Sequence, residues 1–151
     1  MKKVLFVLSA VLCLAACSQK PHRGTIEAPL YEVRNTNTIE VSGIDLTDST
    51  TVLHIEARFR PHWWIKIVSS TFLADENGNQ YPIVSAEGIE LDKEFWMPDS
   101  GEAQFTLTFP PMPAGVNSID FIEGYEQGAF RIWGIRLDGK LPKISMPKPE
   151  K

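Results

Sequence analysis

Two short stretches of this sequence carry the side chains best suited to recognising another molecule. The first is His62-Trp63-Trp64, and the second is a glycine-containing loop that holds Glu123 and Tyr125. Indole and phenol rings stack on sugar faces or pack against apolar surfaces, while imidazole and carboxylate groups form hydrogen bonds. Adjacent residues of a strand point to opposite faces, so we expect one tryptophan to be buried and the other exposed. These five residues are the predicted partner-binding surface.

Catalysis would depend on the histidines of the folded body, His54 and His62. His54 shares one face of its strand with Glu56 and Arg58, so the imidazole and a carboxylate could meet, but a solvated cross-strand pair is the favoured interpretation. The sequence has no Gly-x-Ser-x-Gly, His-Glu-x-x-His or phosphate-loop motif that would supply a nucleophile or an oxyanion site. We therefore predict that the protein is not an enzyme. Only a deep pocket that gathers one of these histidines with carboxylates would favour a hydrolase.

Four acidic residues in the last third of the chain, Asp120, Glu123, Glu126 and Asp138, raise the question of calcium. Hard cations prefer several carboxylate and carbonyl oxygens, but this spacing matches no EF-hand and contains no Asp-x-Asp run. Capping of turns and strand ends accounts for such residues better. The sequence therefore predicts no metal site and no cofactor.

The covalent chemistry of the chain centres on Cys17. A positively charged start precedes an apolar run from 4 to 14, which is too short for a membrane-spanning helix of ~20 residues. Small residues then lead into the cysteine, and Leu14-Ala15-Ala16-Cys17 resembles the lipobox of bacterial lipoprotein signal peptides. The resemblance implies that residues 1–16 are removed and that the Cys17 thiol is joined to diacylglycerol. It predicts a protein anchored by lipid in the cell envelope, on the outer membrane.

Removal of residues 1–16 would leave 135 residues with 13 basic and 19 acidic side chains, a formal net charge of −6. This balance excludes nucleic acid as a partner, because binding it requires a basic face that neutralises phosphates. Cys13 would leave with the signal segment, and Cys17 would carry lipid. The mature body would then have no free thiol for disulfides, thiolate metal sites or CxxC redox chemistry.

The composition divides the chain into four segments. We predict a signal peptide over 1–16, a flexible tether over 17–28, one β-sandwich domain over 29–138 and a Pro/Lys-rich tail over 139–151. The tether is basic, whereas surface export in several anaerobic Gram-negative lineages is associated with an acidic run after the cysteine. By that resemblance, the protein would face the periplasm.

The elements that must position the candidate side chains are β-strands. Apolar residues alternate with polar ones over 50–60 and again over 103–109, so each strand has one buried face. Between 38 and 46 the parity of the apolar residues changes at Ser42-Gly43, which predicts a β-bulge.

Turn residues separate these strands. Asn77-Gly78 lies between two apolar runs and predicts a tight hairpin, because both residues tolerate positive φ. Segments 118–122 and 130–137 flank the loop at Glu123 and are predicted to pair with each other or with neighbouring strands. No segment has a convincing helical period. The sequence therefore predicts an all-β fold, an antiparallel immunoglobulin-like β-sandwich of about eight or nine strands.

Several motifs occur together in the predicted domain: Trp64-Ile65-Lys66-Ile67, Tyr81-Pro82-Ile83, Trp96-Met97-Pro98-Asp99-Ser100-Gly101-Glu102, Asp120-Phe121-Ile122-Glu123-Gly124 and Phe130-Arg131-Ile132-Trp133-Gly134-Ile135. With them, the chain resembles the amino-terminal domain of thioredoxin-like (TlpA-type) envelope lipoproteins of intestinal anaerobes. In that family, a β-domain stands between the lipid anchor and a thioredoxin fold that carries CxxC. This sequence has no CxxC, and we expect the thioredoxin domain to be absent. The resemblance thus implies the accessory domain without the redox activity.

Together these features predict a lipid-anchored, non-catalytic module that binds through loops held on a rigid β-scaffold. The membrane would be one partner, through the amino-terminal lipid. The other would be an envelope protein, by analogy a thioredoxin-like lipoprotein. The exposed aromatics leave open the alternative of a carbohydrate-binding module.

Overall fold

The computed structural model describes residues 22–141, and within this range the regular structure is entirely β, with no helix. Nine of the described strands have three residues or more, in agreement with the predicted eight or nine. Three further strands have only two residues. The bounds are β1 Gly24–Glu27, β2 Val33–Arg34, β3 Ile39–Leu46, β4 Thr51–Arg58, β5 Trp64–Ile65, β6 Phe72–Asp75, β7 Gln80–Pro82, β8 Ser85–Glu87, β9 Phe95–Trp96, β10 Glu102–Phe109, β11 Ser118–Ile122 and β12 Arg131–Arg136.

The described strands form two five-stranded sheets and a two-stranded ribbon. The first sheet has the order β1-β3-β4-β10-β8, the second has the order β2-β12-β11-β6-β7, and β5 pairs with β9 in the ribbon. Every pairing is antiparallel. The predicted all-β antiparallel sandwich is confirmed, and its immunoglobulin-like form stays a prediction.

The core lies between the two sheets and is built from the alternation seen in the sequence. Burial along β4 and β10 follows the period of two, with every second side chain withdrawn from solvent. The second sheet contributes the opposing layer. Fully buried members from the two sides include Leu53, Leu107, Phe109, Phe121 and Ile135.

The predicted bulge is present in β3. The register between β3 and β4 shifts between Val41 and Gly43, so that Val41 lies opposite Ile55 while Gly43 lies opposite His54. The extra residue, Ser42, explains why the apolar positions change parity along this strand.

The predicted hairpin joins β6 to β7 through Asn77-Gly78, with Gly78 at a φ of +84°. Asp75 organises it. Its carboxylate accepts hydrogen bonds from the N–H groups of Asn77 and Asn79, each at 2.9 Å, and from the Tyr81 hydroxyl at 2.9 Å. Burial opposes ionisation of Asp75, but these hydrogen bonds outweigh it and hold the pKa of the carboxyl below its usual range. Burial raises the pKa of Tyr81 to about 12, together with the hydrogen bond that its hydroxyl donates to Asp75.

Asp75→Asn is expected to lower the free energy of unfolding by about 1–2 kcal/mol at neutral pH, because an amide cannot accept all of these hydrogen bonds. The folded-state pKa of Asp75 is depressed, so its stabilisation is present above the ordinary pKa of 3.8 and is lost as the pH falls through the folded value. Urea denaturation across this range should show the gap between wild type and variant shrinking with acidification. Glu94→Gln, on an exposed side chain, is the control, and an unchanged gap at low pH would contradict this assignment.

The predicted tether, 17–28, is wrong over its second half. Residues 24–27 form β1, which pairs with β3 from Gly24 opposite Leu46 to Glu27 opposite Gly43. Ile26 packs against the core, and this burial fixes a segment whose composition suggested a linker. The predicted signal peptide, Cys17 and residues 142–151 of the tail lie outside the described residues. Within 22–141, no helix is long and apolar enough to cross a membrane.

The sandwich has two distinct ends. At one, the amino-terminal end, the His22 ring contacts the Asn117 side chain at 3.3 Å and Arg23 pairs with Asp48 at 2.7 Å. β4 starts beside Asp48 and runs for eight residues, about 24 Å, to the opposite end. We call that opposite end the tryptophan end, because it carries residues 60–64, the β5–β9 ribbon and the loop 123–130.

Candidate functional site

The ribbon at the tryptophan end presents two indole side chains on one face. Trp64 lies directly opposite Trp96, and Ile65 lies opposite Phe95. Opposed residues of an antiparallel pair share a face, so the tryptophans point one way and Ile65 with Phe95 point the other. Ile65 is buried, whereas Trp64 and Trp96 are 46% and 60% exposed. The ribbon therefore uses its inner face for the core and leaves its aromatic face open.

The expectation that one of Trp63 and Trp64 is buried is wrong, because both are about half exposed. The chain turns at His62, which has a φ of +63°, so no continuous strand imposes alternation on the two tryptophans. The turn is fixed by hydrogen bonds from the His62 N–H to the Met97 carbonyl, at 3.1 Å, and from the Met97 N–H to the Trp63 carbonyl, at 2.8 Å.

The side chains of Trp63 and His62 both contact neighbouring side chains of the same domain. The Trp63 ring meets Phe59 edge-on, with centroids 6.1 Å apart, and the Arg60 guanidinium lies 4.9 Å from the Trp63 ring centroid. His62 Nε2 lies 3.1 Å from an Asp99 carboxylate oxygen. Both residues border the ribbon, but Trp64 and Trp96 carry its open aromatic face.

A cleft of about 470 Å³ separates the ribbon from the loop 123–130. Trp64 and Phe59 supply aromatic surface on one side. The loop supplies polar groups and the backbone of its glycines on the other. The lining that matters chemically comprises Trp64, Lys66, Asp92, Glu123, Glu126, Gln127 and Phe130.

Glu123 is the buried acid of this cleft, with only 7% of its surface exposed. Its Oε2 accepts a hydrogen bond from the Phe130 N–H at 2.8 Å. Burial raises the pKa of the Glu123 carboxyl; backbone hydrogen bonds and the charge of Lys66 oppose this rise without cancelling it. The adjacent Gly124, with a φ of +67°, lets the loop approach closely, because a Cβ there would lie 2.9 Å from Ser70 Oγ.

Glu123→Gln is expected to stabilise the protein at pH 7 by up to about 1 kcal/mol, the scale of one desolvated polar group. Because the folded pKa is raised, the stability linked to protonated Glu123 is present below the ordinary pKa of 4.5 and lost as the pH rises through the folded value. Thermal melts from pH 7 to pH 4 should show the gain of the variant disappearing on acidification. The exposed Glu94→Gln, whose charge does not act on Glu123, should show no such gain. A Glu123→Gln variant that is less stable at pH 7 would contradict this account.

The cleft carries an excess of negative charge. Asp92, Glu123 and Glu126 face a single cation, Lys66. Hydrogen bonds from Ser69, the backbone one measuring 2.8 Å, hold the pKa of Asp92 below its usual range. Such a site accepts groups that donate N–H or O–H bonds while resting on an aromatic face.

The structure thus brings together Trp64 and Glu123 from the predicted set and adds Trp96, Lys66 and Asp92, which the sequence did not single out. Tyr125 does not join them. Its ring packs on Phe72 with centroids 5.6 Å apart, on the β6 side of the loop, and its hydroxyl lies 3.5 Å from the Gln80 amide nitrogen. Trp63, Trp64 and Tyr125 therefore do not form one flat platform.

His54 has a different partner from the one expected. Its Nε2 lies 2.7 Å from Asp45 Oδ2, while Glu56 and Arg58 pair with each other at 3.2 Å. A groove on the outer face of the first sheet contains His54 together with Glu27 and Glu87, and it is open rather than deep.

Of the acidic residues considered for calcium, Asp120, Glu123 and Asp138 make hydrogen bonds or ion pairs within the fold. Asp120 Oδ1 accepts a hydrogen bond from the Gly134 N–H at 2.8 Å, and Asp138 pairs with Arg136 at 2.7 Å. Across residues 22–141, no group of three or more His, Cys, Asp or Glu side chains is placed to hold a metal ion.

Comparisons of the chain with protein-family models, with curated proteins and with solved structures give no match.

Proposed function

We propose that this protein is a lipid-anchored, non-catalytic binding module of the bacterial envelope, held by Cys17 on the outer membrane and facing the periplasm. The observation that carries the binding role is that Trp64 shares an exposed face with Trp96 and also lines the cleft that contains Glu123. Partner contacts are made there, through residues 60–64, the ribbon and the loop 123–130.

Exposure and energetics support a binding role for this end. Large aromatics are normally used for burial, and a group of half-exposed tryptophans marks a surface for another molecule. Burial raises the pKa of Glu123, so keeping this carboxyl in the cleft has a cost in stability at neutral pH. Such costs in stability are typical of functional sites, where a side chain serves binding or catalysis rather than folding.

The position of His22, the first residue that the structure describes, supports presentation of the tryptophan end away from the membrane. His22 lies at the amino-terminal end of the sandwich, and residues 17–22 can span at most about 18 Å when fully extended. The lipid on Cys17 would therefore hold that end close to the bilayer. The tryptophan end would point into the periplasm, about 24 Å farther out along β4.

The chemistry of the cleft indicates the kind of partner surface that fits. A partner segment with an amine, guanidinium or hydroxyl beside an apolar group would satisfy both the carboxylates and the indoles. The resemblance noted in the sequence makes a thioredoxin-like envelope lipoprotein the partner that we propose. This chain would supply recognition, and the partner would supply any redox chemistry.

Co-purification from native membranes, with Cys17 intact, tests this proposal. We expect Trp64→Ala to reduce recovery of the partner about tenfold or more, as removal of a central aromatic contact does at protein interfaces. Val84→Ala removes an apolar side chain that is 66% exposed elsewhere and serves as the matched control. Equal recovery with both variants would contradict the proposed surface.

A second candidate function, carbohydrate binding, is favoured by the shared face of Trp64 and Trp96. Two indoles on one face, bordered by carboxylate and amide groups, match the way aromatic side chains stack on sugar rings. Tryptophan fluorescence should then change on titration with envelope glycans or peptidoglycan fragments and lose that change in Trp96→Ala. No spectral change with any of these ligands would exclude this candidate.

A further inference from the structure

The outer face of the first sheet carries a groove that is separate from the tryptophan end. Its volume is about 520 Å³. Five residues on five neighbouring strands lie in register along it, in the order Glu27, Gly43, His54, Thr106 and Glu87. The row crosses the strands over four inter-strand spacings, about 19 Å. The groove is therefore long enough for a chain-like ligand that lies across the strands.

The bulge in β3 and the glycine beside it form the floor of this groove. Ser42 is the extra residue, and Gly43 then lies opposite His54 without a side chain of its own. An added Cβ at Gly43 would contact His54 Cδ2 at 3.5 Å, an ordinary van der Waals distance. Alanine thus fits at this position, whereas a longer side chain would fill the groove.

His54 is held in a fixed orientation within the row. Thr25 Oγ1 donates a hydrogen bond to Asp45 Oδ1 at 2.6 Å, and His54 Nε2 lies 2.7 Å from Asp45 Oδ2. An ionised carboxylate only accepts hydrogen bonds, so Nε2 carries the proton in the neutral imidazole and Nδ1 carries the lone pair. The hydrogen bond from Thr25 is the main cause that holds the pKa of Asp45 below its usual range, and the hydrogen bond from His54 is the second. Both favour the ionised carboxylate, which accepts hydrogen bonds.

We propose that this groove binds an extended polyhydroxylated chain, an oligosaccharide, across the first sheet. The lining supplies carboxylates at both ends, from Glu27 and Glu87, and the Gln104 amide and the Thr106 hydroxyl between them. Sugar hydroxyls both donate and accept, so a lining that mixes acceptors with groups capable of both roles matches them. Recognition here is by hydrogen bonds, since the aromatic member of the lining, Phe105, is buried beneath the sheet.

The position of the groove disfavours an extended peptide as its occupant. Peptides that bind sheets add a strand at an edge and use main-chain hydrogen bonds. The groove crosses β3, β4 and β10, which pair on both sides within the sheet. A peptide lying across these strands would find polar side chains there, and the free edges of the sheet, on β1 and β8, occur only at the two ends of the groove.

Titration of the full chain in detergent with malto-, cello-, xylo- and chitohexaose, followed by NMR and calorimetry, tests this inference. We expect one series to bind, with affinity rising from the disaccharide to the hexasaccharide and with shifts centred on His54 and Gln104. Thr106→Ala and Gly43→Gln should each weaken that binding about tenfold. The matched control is Thr108→Ala, two residues along the same face and outside the groove, and it should bind like wild type.

Three outcomes would overturn the inference: no binding of any hexasaccharide, binding that is lost in Trp64→Ala but kept in Thr106→Ala, or groove shifts produced by a tetralysine peptide instead. The second of these would support the carbohydrate candidate at the tryptophan end. If Thr106→Ala loses oligosaccharide binding while Trp64→Ala keeps it, the result would support the groove. This holds even if the proposed function of the tryptophan end fails its own test. Unchanged melting of Thr106→Ala and Gly43→Gln would show that lost binding is not lost folding.

Discussion

Replacing Gly101 with alanine is expected to lower the free energy of unfolding by about 2–4 kcal/mol. Gly101 has a φ of +68°, and a Cβ there would lie 2.5 Å from the carbonyl oxygen of Phe59. The neighbouring backbone cannot yield easily, because the Phe59 N–H donates to the Gly101 carbonyl at 2.9 Å. The left-handed conformation adds about 1–2 kcal/mol for any residue with a side chain. The strain would fall on the turn that joins β9 to β10.

Gly78→Ala separates the two contributions to this loss. Gly78 also has a positive φ, of +84°, but nothing lies within 4 Å of an added Cβ. It should therefore cost only the conformational part, about 1–2 kcal/mol. Urea denaturation of both variants, with tryptophan emission as the signal, measures the difference. A loss in Gly101→Ala no larger than that in Gly78→Ala would contradict the close approach of this turn to Phe59.

Cys17→Ala is expected to move most of the protein out of the membrane fraction. Without the thiol, no diacylglycerol can be attached, and the hydrophobic free energy of ~0.8 kcal/mol for each buried CH₂ is lost. The folded domain should be unaffected, because Cys17 lies outside residues 22–141, which contain the core. Fractionation followed by thermal melting of the released protein measures both effects.

Cys13→Ala is the matched control for this experiment. Cys13 lies within the apolar run of the predicted signal peptide and outside Leu14-Ala15-Ala16-Cys17, the residues that resemble a lipobox. Its replacement should leave the protein in the membrane fraction. Firm retention of Cys17→Ala, or equal release of both variants, would contradict the lipid anchor.

Period-two patterns made much of the fold predictable. From Leu53 to the end of β4, and throughout β10, apolar residues alternate with polar ones, and the structure buries the expected faces. Asn77-Gly78 and the parity change at Ser42-Gly43 also had local causes, since turn and bulge geometry depend on the residues at the turn or bulge itself.

The candidate site was less predictable because it depends on distant contacts. Trp64 and Trp96 meet across the ribbon, and no local pattern sets that register. The positive φ at His62 interrupts the strand that alternation assumes, so both Trp63 and Trp64 remain about half exposed. The burial of Glu123 follows from a loop packing on Ser70, which only the tertiary structure shows.

Site-specific photo-crosslinking in native membranes tests the central claim, that the tryptophan end is the partner-binding surface. A photoreactive phenylalanine would replace Trp96 in one variant and Asn77, at the exposed β6–β7 hairpin of the opposite end, in the other. We predict one discrete adduct from position 96 and none of that mass from position 77. An adduct from position 77 alone, or no adduct from position 96, would contradict this account.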